Sequence, residues 1–189
     1  LYTLHSTLYT KMFKVGIIGP ESTGKSTLSR YLSLRYSGLL VSEYARLYLE
    51  DRARCASDAY AYTYEDVVRI AEYQVQQLET LSKCSTKGIL SEFSKGVELS
   101  GKNVNNVIFF DTELIITKVW FLHKYGACPA FVEDAIRKYP MDVYLLCYAD
   151  LIWEADPVRE NPDIREYLFR WYEKEIQALG IPYYIVRHE

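Results

Sequence analysis

Residues 19–26 read G-P-E-S-T-G-K-S and match the phosphate-binding loop pattern G-x-x-x-x-G-K-[ST] at every fixed position. The glycines of such a loop let the backbone curl, so that successive N–H groups converge on the polyphosphate of a nucleotide. The Lys25 amine would reach the outer phosphates, and the Ser26 hydroxyl would bind a magnesium ion. The sequence therefore predicts a site for a nucleoside triphosphate and Mg²⁺.

The elements on either side of this loop are those that its function requires. Residues 13–18 form a short, β-branched apolar run that is typical of a buried parallel strand. Leu28 and Leu32 then recur at helical spacing, and the positive end of their helix would face the same anion. We expect the following residues to bind the nucleotide: Gly19, Glu21, Ser22, Thr23, Gly24, Lys25, Ser26 and Thr27.

Two charged residues follow the second short strand, which is predicted at residues 39–42. Ligands of open parallel sheets bind beyond the carboxyl ends of the strands, so Glu43 and Arg46 are candidates for substrate binding. Glu43 would take the proton from a substrate hydroxyl, and Arg46 would bind an anion. A solvated first turn of a helix is an equally good interpretation, because acidic residues favour helix starts.

Asp111 comes directly after the apolar residues 107–110. A phosphate-loop enzyme uses a carboxylate in this place to hold magnesium beside the loop serine. An Asp after a short apolar run is by itself more often a strand terminator, but the upstream loop favours the functional interpretation. We therefore predict that Asp111 and Ser26 bind the metal and that Asp111 also acts in catalysis or acceptor binding. Thr112 and Glu113 would lie at the edge of the same cleft.

The segment 150–162 is rich in charge and proline and follows the fourth predicted strand. This position suits a lid whose arginines close over the phosphates during phosphoryl transfer. Arg159 and Arg165 are the candidate arginines, Arg159 being the expected catalytic one, and Asp156 would anchor the loop or a substrate hydroxyl. A surface loop with compensating charges is the alternative.

Trp120 is the aromatic residue with a candidate role in substrate binding. It lies in a helix predicted over residues 113–125. A tryptophan in such a helix is more often a core residue than a ligand contact. An indole at the edge of the cleft could instead stack on a base or on a pyridine ring.

Composition limits the class of protein and of partner. The chain has 189 residues, which suits one domain with a single substantial core. With 49% hydrophobic and 25% charged residues and a formal net charge of −3, it fits a globular protein without a broad basic surface for nucleic acid. No apolar run is long enough for a membrane helix. A small molecule is the favoured partner, and a homo-oligomer is compatible with the sequence.

The cysteines and the first residues bear on location and on domain limits. The cysteines are far apart and form no C-x-x-C pair, which disfavours a zinc site and a disulfide scaffold and favours a reducing cytoplasm. Residues 1–11 lack the features of a secretory signal, and Met12 precedes the first strand as a candidate native start. We expect a poorly ordered extension at residues 1–12 and one domain at residues 13–189.

Apolar runs and helical periodicity alternate along the chain. Strands are predicted at residues 13–18, 39–42, 107–110, 141–147 and 183–186. This alternation predicts an α/β fold with a five-stranded parallel sheet flanked by helices. Thr63 and Asp66 form a capping-box pattern before a helix at residues 65–81. Residues 82–105 show no sustained period and predict a long excursion to which we assign no chemistry.

Five motifs in order resemble one known family. They are G-P-E-S-T-G-K-S-T-L at residues 19–28, E-Y-A-R at 43–46, F-D-T-E-L-I-I-T-K-V-W at 110–120, Y-L-L at 144–146 and W-E-A-D-P-V-R at 153–159. The set resembles the ribosylnicotinamide kinase domain of NadR-type proteins, within a broader group of AAA-like P-loop ATPases and kinases. The resemblance covers nearly the whole chain from Phe13 onward. Its first motif is specific only to nucleotide binding, whereas the ordered set is much more specific.

The resemblance implies an ATP-dependent kinase that phosphorylates the 5′-hydroxyl of nicotinamide riboside, giving nicotinamide mononucleotide in NAD salvage. It also implies the strand order 2-3-1-4-5 and the roles of Lys25, Ser26 and Arg159 at the phosphates. Glu113 stands where the family usually has Asp. NadR-type proteins often carry an adenylyltransferase domain before this one, and we expect this chain to lack that second activity.

The sequence leaves several alternatives open. The chain could be a kinase for another nucleoside, because the acceptor pocket cannot be identified from residue spacing. It could also be a nucleotide-switched ATPase regulator without a small acceptor. The preferred nucleotide base is not specified by any motif, and either Glu43 or Asp111 could be the general base.

Overall fold

The computed structural model describes residues 11–55, 61–83, 97–99, 105–156 and 159–188. Its strands are β1 (Phe13–Ile18), β2 (Leu39–Val41), β3 (Val97–Leu99), β4 (Val107–Asp111), β5 (Val143–Cys147) and β6 (Tyr183–Val186). Its helices are α1 (Lys25–Arg35), α2 (Tyr44–Cys55), α3 (Tyr64–Lys83), α4 (Leu114–Tyr125), α5 (Ala130–Lys138) and α6 (Arg165–Leu179). Most of the expected N-terminal extension, residues 1–10, lies outside the described residues, whereas Met12 is buried in the core.

The strands form one sheet in the order β3-β2-β4-β1-β5-β6. The five strands predicted from the sequence pair in parallel and in the expected order 2-3-1-4-5, which confirms the predicted fold class. The sixth strand, β3, pairs antiparallel with β2 and was not predicted. It lies within the excursion 82–105, and a strand of three residues is too short to show a period in the sequence. Residues 84–96 and 100–104 of the excursion lie outside the described residues.

Helices cover both faces of the sheet, because successive residues of a strand point to opposite sides. Ile108 belongs to the larger core, together with buried residues of α3, α4, α5 and α6. The next residue, Phe109, belongs to a smaller core on the other face, against Leu28 and Leu32 of α1. The sheet is therefore held between two apolar layers, and its strand ends are fixed relative to one another.

Two helix starts bear on the site. The capping box before α3 is confirmed, since the Thr63 backbone N–H donates to Asp66 Oδ2 (2.9 Å) and the Asp66 N–H donates to Thr63 Oγ1 (3.3 Å). The helix α2 begins at Tyr44, immediately after Glu43. A solvated first turn of a helix was one of the two interpretations of the sequence; a helix does begin here, but the Glu43 side chain is largely buried.

Candidate nucleotide and acceptor site

The loop between β1 and α1 has the shape of a phosphate-binding loop. Gly24 precedes α1 with a left-handed φ of 73°, and Gly19 has a φ of 150°. A Cβ atom at Gly19 would lie 2.6 Å from the Cys147 carbonyl oxygen at the end of β5. Both positions therefore require glycine, one for its conformation and one also for the close approach of two backbones.

Lys25 is held within this loop. Its Nζ donates a hydrogen bond to the Pro20 carbonyl oxygen at 2.7 Å. The buried Thr23 hydroxyl donates to the same oxygen at 2.8 Å. The ammonium group thus lies over the curled backbone, where the anion of a nucleotide would meet it.

Asp111 reaches the loop through the pairing of β1 with β4. Parallel register sets Asp111 opposite Ile17, two residues before Gly19. Its carboxylate accepts a hydrogen bond from the Ser26 side chain. The side chain is buried, and Oδ1 has no hydrogen-bond partner among the described residues. Burial raises the pKa of Asp111, while the Ser26 hydrogen bond and the Lys25 charge lower it.

These contacts fit a magnesium site. Mg²⁺ in proteins binds through one or two carboxylate or hydroxyl oxygens together with substrate phosphates and water. Asp111 offers a buried oxygen that no described residue engages, and its other contact is the hydroxyl of Ser26. The two residues predicted as metal ligands are therefore brought together on the phosphate side of the site.

Glu43 lies at the same edge of the sheet, because β2 pairs in parallel with β4 and sets Val41 opposite Phe110. Desolvation raises the pKa of Glu43, and the nearby Lys25 charge lowers it. The charge of Asp111 raises this pKa further. The two carboxylates at the ends of neighbouring strands thus act on each other and on the loop lysine.

Arg46 lies one turn further along α2 and is surrounded by carboxylates. Its guanidinium forms an ion pair with Asp156 at 2.8 Å and approaches Glu43 at 3.8 Å and Glu50 at 3.7 Å. The structure therefore joins the predicted substrate residue Arg46 to the predicted lid residue Asp156.

A cleft of about 480 Å³ extends from the phosphate-binding loop to α4 and to the segment before α6. Most of the residues that the sequence predicted for the site line it. They are Gly19, Glu21, Ser22, Thr23, Gly24, Lys25, Ser26, Thr27, Glu43, Arg46, Trp120 and Arg159. Asp111 and Asp156 do not line the cleft, but Asp111 interacts with the lining residue Ser26 and Asp156 pairs with the lining residue Arg46. One connected space thus joins the expected nucleotide loop to the expected acceptor residues.

Around the predicted residue Trp120, the cleft is lined by Tyr62 and Glu160, which sequence reasoning missed. The Trp120 indole N–H donates to the Tyr62 hydroxyl at 2.9 Å, and that hydroxyl donates to Glu160 Oε2 at 2.6 Å. The Lys124 ammonium lies 3.7 Å from the centre of the Tyr62 ring and 3.3 Å from Glu160. Desolvation and the hydrogen bond to Glu160 raise the pKa of Tyr62. Because these residues come from three distant segments, no spacing pattern could have connected them.

The lid candidates occupy different positions. Arg159 lines the cleft and donates to the Glu154 carbonyl oxygen at 2.6 Å. Arg165, at the start of α6, donates to the Leu151 carbonyl oxygen at 2.9 Å and to the Ser22 carbonyl oxygen at 3.4 Å. Arg165 therefore connects the phosphate-binding loop to the segment before α6, while Arg159 faces the cleft.

Glu113 is not at the edge of this cleft, contrary to the sequence prediction, although Thr112 lines it. The Glu113 side chain is buried, accepts from the Ile115 backbone N–H at 3.0 Å and caps α4. It also accepts a hydrogen bond from the Tyr144 hydroxyl, and burial raises its pKa to about 7. The prediction was wrong because successive residues after a strand turn to different sides, and here the second one turns inward.

The fold and the loop define a P-loop protein of the α/β kinase-like class. A family model described as an AAA domain matches residues 14–189, and the chain belongs to that family. The chain is also similar to the trifunctional NAD biosynthesis/regulator protein NadR of Escherichia coli (strain K12), with 30% identity over 146 residues. This match covers 77% of the chain but 30% of the relative, so the chain spans less than a third of that protein's length.

Solved structures show the same fold. A crystal structure of a NadR protein in complex with NR matches with a TM-score of 0.66 and 21% identity, covering 96% of this chain and 44% of that one. Thymidylate kinase from Ehrlichia chaffeensis matches with a TM-score of 0.58 and 11% identity, covering 95% and 89%. The resemblance to NadR inferred from the motifs is thereby confirmed, as is the P-loop kinase fold. In the described part of the chain, no helix has both the length and the apolar character that a membrane crossing requires.

Proposed function

We propose that this protein is a magnesium-dependent kinase that transfers the γ-phosphate of ATP to the 5′-hydroxyl of nicotinamide riboside. The observation that carries the proposal is the single cleft that joins the phosphate-binding loop to Glu43 and to the aromatic wall at Trp120. A nucleotide-binding switch needs the loop alone, whereas a small-molecule kinase needs an acceptor space beside it. The similarity to NadR supports the choice of acceptor.

Phosphoryl transfer at this site depends on positioning and on charge neutralisation. The loop N–H groups and Lys25 bind the β- and γ-phosphates, and Arg159 contacts the γ-phosphate from the opposite side of the cleft. Ser26 and Asp111 hold Mg²⁺, which offsets the negative charge of the phosphates when it is bound. The acceptor oxygen forms a bond to the γ-phosphorus as the bond to the ADP oxygen breaks, and the acceptor proton leaves to a carboxylate.

Glu43 is the better candidate for that carboxylate. It lines the cleft and its pKa is raised, so it accepts a proton more readily than an exposed glutamate does. Asp111 is not among the residues that line the cleft, and its carboxylate interacts with the Ser26 side chain of the phosphate-binding loop. We therefore assign the acceptor hydroxyl to Glu43 and the metal to Asp111.

The aromatic wall is suited to a flat, electron-poor ring. Trp120 packs edge-on against Tyr62, with ring centres 4.9 Å apart, and both residues line the cleft. A pyridinium ring carries positive charge and is attracted to aromatic faces and to carboxylates. Arg46, paired with Asp156, also lines the cleft and would hydrogen-bond the ribose or carboxamide oxygens.

A kinase for another nucleoside is the second candidate. The fold similarity to thymidylate kinase extends over nearly the whole of both chains, and the same cleft could accept a different base. We also propose that residues 13–189 act as one kinase domain in the cytoplasm, with small molecules as partners. A homo-oligomer is compatible with this proposal.

The test is a comparison of ATP consumption and product mass with nicotinamide riboside and with a nucleoside panel, at matched Mg²⁺ concentrations. We expect equimolar ADP and nicotinamide mononucleotide. Stimulation only by another nucleoside would exclude nicotinamide riboside and support the second candidate. Slow ATP hydrolysis that no acceptor stimulates would instead support a nucleotide-switched regulator.

A further inference from the structure

Glu21 is a carboxylate inside a loop whose purpose is to bind anions. Its side chain turns away from the loop and accepts hydrogen bonds from the backbone of the segment that precedes α6. The Asn161 N–H donates to Oε2 at 2.9 Å, and the Glu160 N–H lies 3.2 Å from both carboxylate oxygens. Glu21 therefore has defined partners outside its own loop.

A negative charge at this position needs a reason, because it repels the polyphosphate that the loop binds. Hydrogen bonds from N–H groups to a carboxylate are charge-assisted and stronger than those between neutral groups. The N–H groups of Glu160 and Asn161 therefore offset the negative charge of Glu21, and the carboxylate gives each of them a strong hydrogen-bond acceptor. A neutral side chain would remove the repulsion but would hold this backbone less firmly.

The segment that Glu21 holds lines the cleft and contacts the aromatic wall. Arg159, directly before it, lines the cleft. The Glu160 side chain accepts from the Tyr62 hydroxyl at 2.6 Å, and Tyr62 accepts from Trp120. A continuous set of hydrogen bonds thus runs from the phosphate-binding loop through residues 160 and 161 to the aromatic wall.

We propose that Glu21 is a positioning residue for phosphoryl transfer, which fixes residues 159–161 beside the cleft. It thereby holds Arg159 and the aromatic wall at a fixed position relative to the phosphate-binding loop. This inference rests on the proposed kinase function. It assigns to Glu21 a role in holding the opposite side of the cleft, in place of the direct nucleotide contact that the sequence suggested. The neighbouring Ser22 makes a separate connection, since its hydroxyl accepts from the Glu154 N–H at 3.2 Å.

The first test is amide hydrogen exchange measured by NMR in Glu21→Gln and Glu21→Ala. We expect exchange at the Glu160 and Asn161 amides to rise about tenfold, because these amides no longer have a charged acceptor. The Glu154 amide, held by Ser22, should exchange as in the wild type. Unchanged exchange at both residues 160 and 161 would overturn the proposal, and this measurement requires no acceptor or nucleotide.

The second test separates positioning from nucleotide binding. We expect kcat to fall about tenfold in Glu21→Gln while KM for ATP stays within about threefold, because a positioning residue makes no direct interaction with ATP. A raised KM with normal kcat would overturn the proposal and make Glu21 a nucleotide ligand. Normal kcat with faster exchange would also overturn it, by showing that the connection is structural only.

Glu79→Gln is the matched control, because Glu79 is a carboxylate on the surface of α3 that pairs with Lys83 at 2.7 Å. It should change neither kcat nor exchange at residues 160 and 161. Melting temperatures of all variants distinguish a loss of position from a loss of fold. If the wild-type protein phosphorylates no acceptor, the proposed function fails, while the exchange measurement still decides whether Glu21 holds the segment.

Discussion

Among single residues, the site separates two carboxylates that look alike in the sequence. Each comes at the end of an apolar run, yet Asp111 interacts with the Ser26 side chain and does not line the cleft, whereas Glu43 does. Desolvation raises the pKa of both groups. From these different neighbours we propose different roles, metal binding for Asp111 and proton transfer for Glu43.

Lys25→Ala and Asp111→Asn should each lower phosphoryl transfer by at least about a hundredfold, because each removes a charge that neutralises or organises the phosphates. Both variants should keep the wild-type circular dichroism spectrum. Asp111→Asn also removes a buried charge, so its melting temperature should equal or exceed that of the wild type. Near-normal turnover in either variant would remove that residue from the mechanism.

Glu43→Gln should lower kcat about a hundredfold if Glu43 receives the acceptor proton. The raised pKa adds a pH signature, since only the ionised carboxylate can accept a proton. Activity should fall as pH falls through this pKa, which lies above the ordinary glutamate value of 4.5. The acidic limb of the kcat/KM profile should be absent in Glu43→Gln. If the acidic limb is unchanged in Glu43→Gln, the limb reports the titration of another group.

Among the helices and strands, the junction between β4 and α4 contains an unusual backbone conformation. Thr112 adopts a left-handed φ of 72°, which is unusual for a β-branched residue, and its buried hydroxyl has no partner among the described residues. The next residue, Glu113, caps α4 from inside the core. Strain of this kind persists where the surroundings fix the backbone, and here it lets one turn present Thr112 to the cleft and Glu113 to the core.

Glu113→Gln should make stability less dependent on pH. The pKa of Glu113 is about 7 in the fold against an ordinary value of 4.5, so the folded state binds the proton more tightly than the unfolded chain. Stability is therefore lost as pH rises from 4.5 to about 7, by roughly 3 kcal/mol in all. A glutamine side chain keeps a carbonyl oxygen that can accept the hydrogen bond from the Ile115 backbone N–H, but it carries no charge.

We expect the melting temperature of Glu113→Gln to exceed that of the wild type by several degrees at pH 8 and to differ little from it at pH 5. Thermal unfolding at the two pH values measures this difference. If the difference in melting temperature between variant and wild type is the same at pH 5 and at pH 8, Glu113 does not change its protonation state between these pH values. Glu79→Gln, on the exposed face of α3, provides the comparison for removal of a surface carboxylate.

In the molecule as a whole, the site is formed where strand ends meet the surrounding helices. The parallel sheet brings the residues after β1, β2 and β4 to one edge. The helix α4 and the segment before α6 then supply the opposite wall of the cleft. Neither half could bind both a nucleotide and an acceptor, so ligand binding should stabilise the fold as a unit.

A non-hydrolysable ATP analogue with Mg²⁺, at about a hundred times its dissociation constant, should stabilise the protein by about 2.7 kcal/mol. For a domain of this size that corresponds to a rise of roughly 5 to 10 °C in melting temperature. Lys25→Ala should abolish most of the rise, while Glu79→Gln should retain it. An equal shift in Lys25→Ala would mean that the analogue binds elsewhere.

Sequence patterns were enough to predict the phosphate-binding loop, the five parallel strands and the order of the motifs. These features are local, because they depend on fixed spacing, on apolar runs and on the conformations that glycine alone adopts. The residues Lys25, Glu43, Asp111 and Arg159 could be named as candidates for the same reason, and their roles stay predictions. The short antiparallel strand β3 could not, because three residues carry no readable period.

Which side chains meet depends on the packed fold. Packing turns Glu113 into the core, pairs Arg46 with Asp156 and connects Tyr62 to both Trp120 and Glu160. Most of these contacts join residues that are far apart in the chain, and they depend on strand register and helix packing, which no local pattern encodes. The same is true of the hydrogen bonds that Glu21 accepts from the backbone of residues 160 and 161, which its position in the motif does not predict.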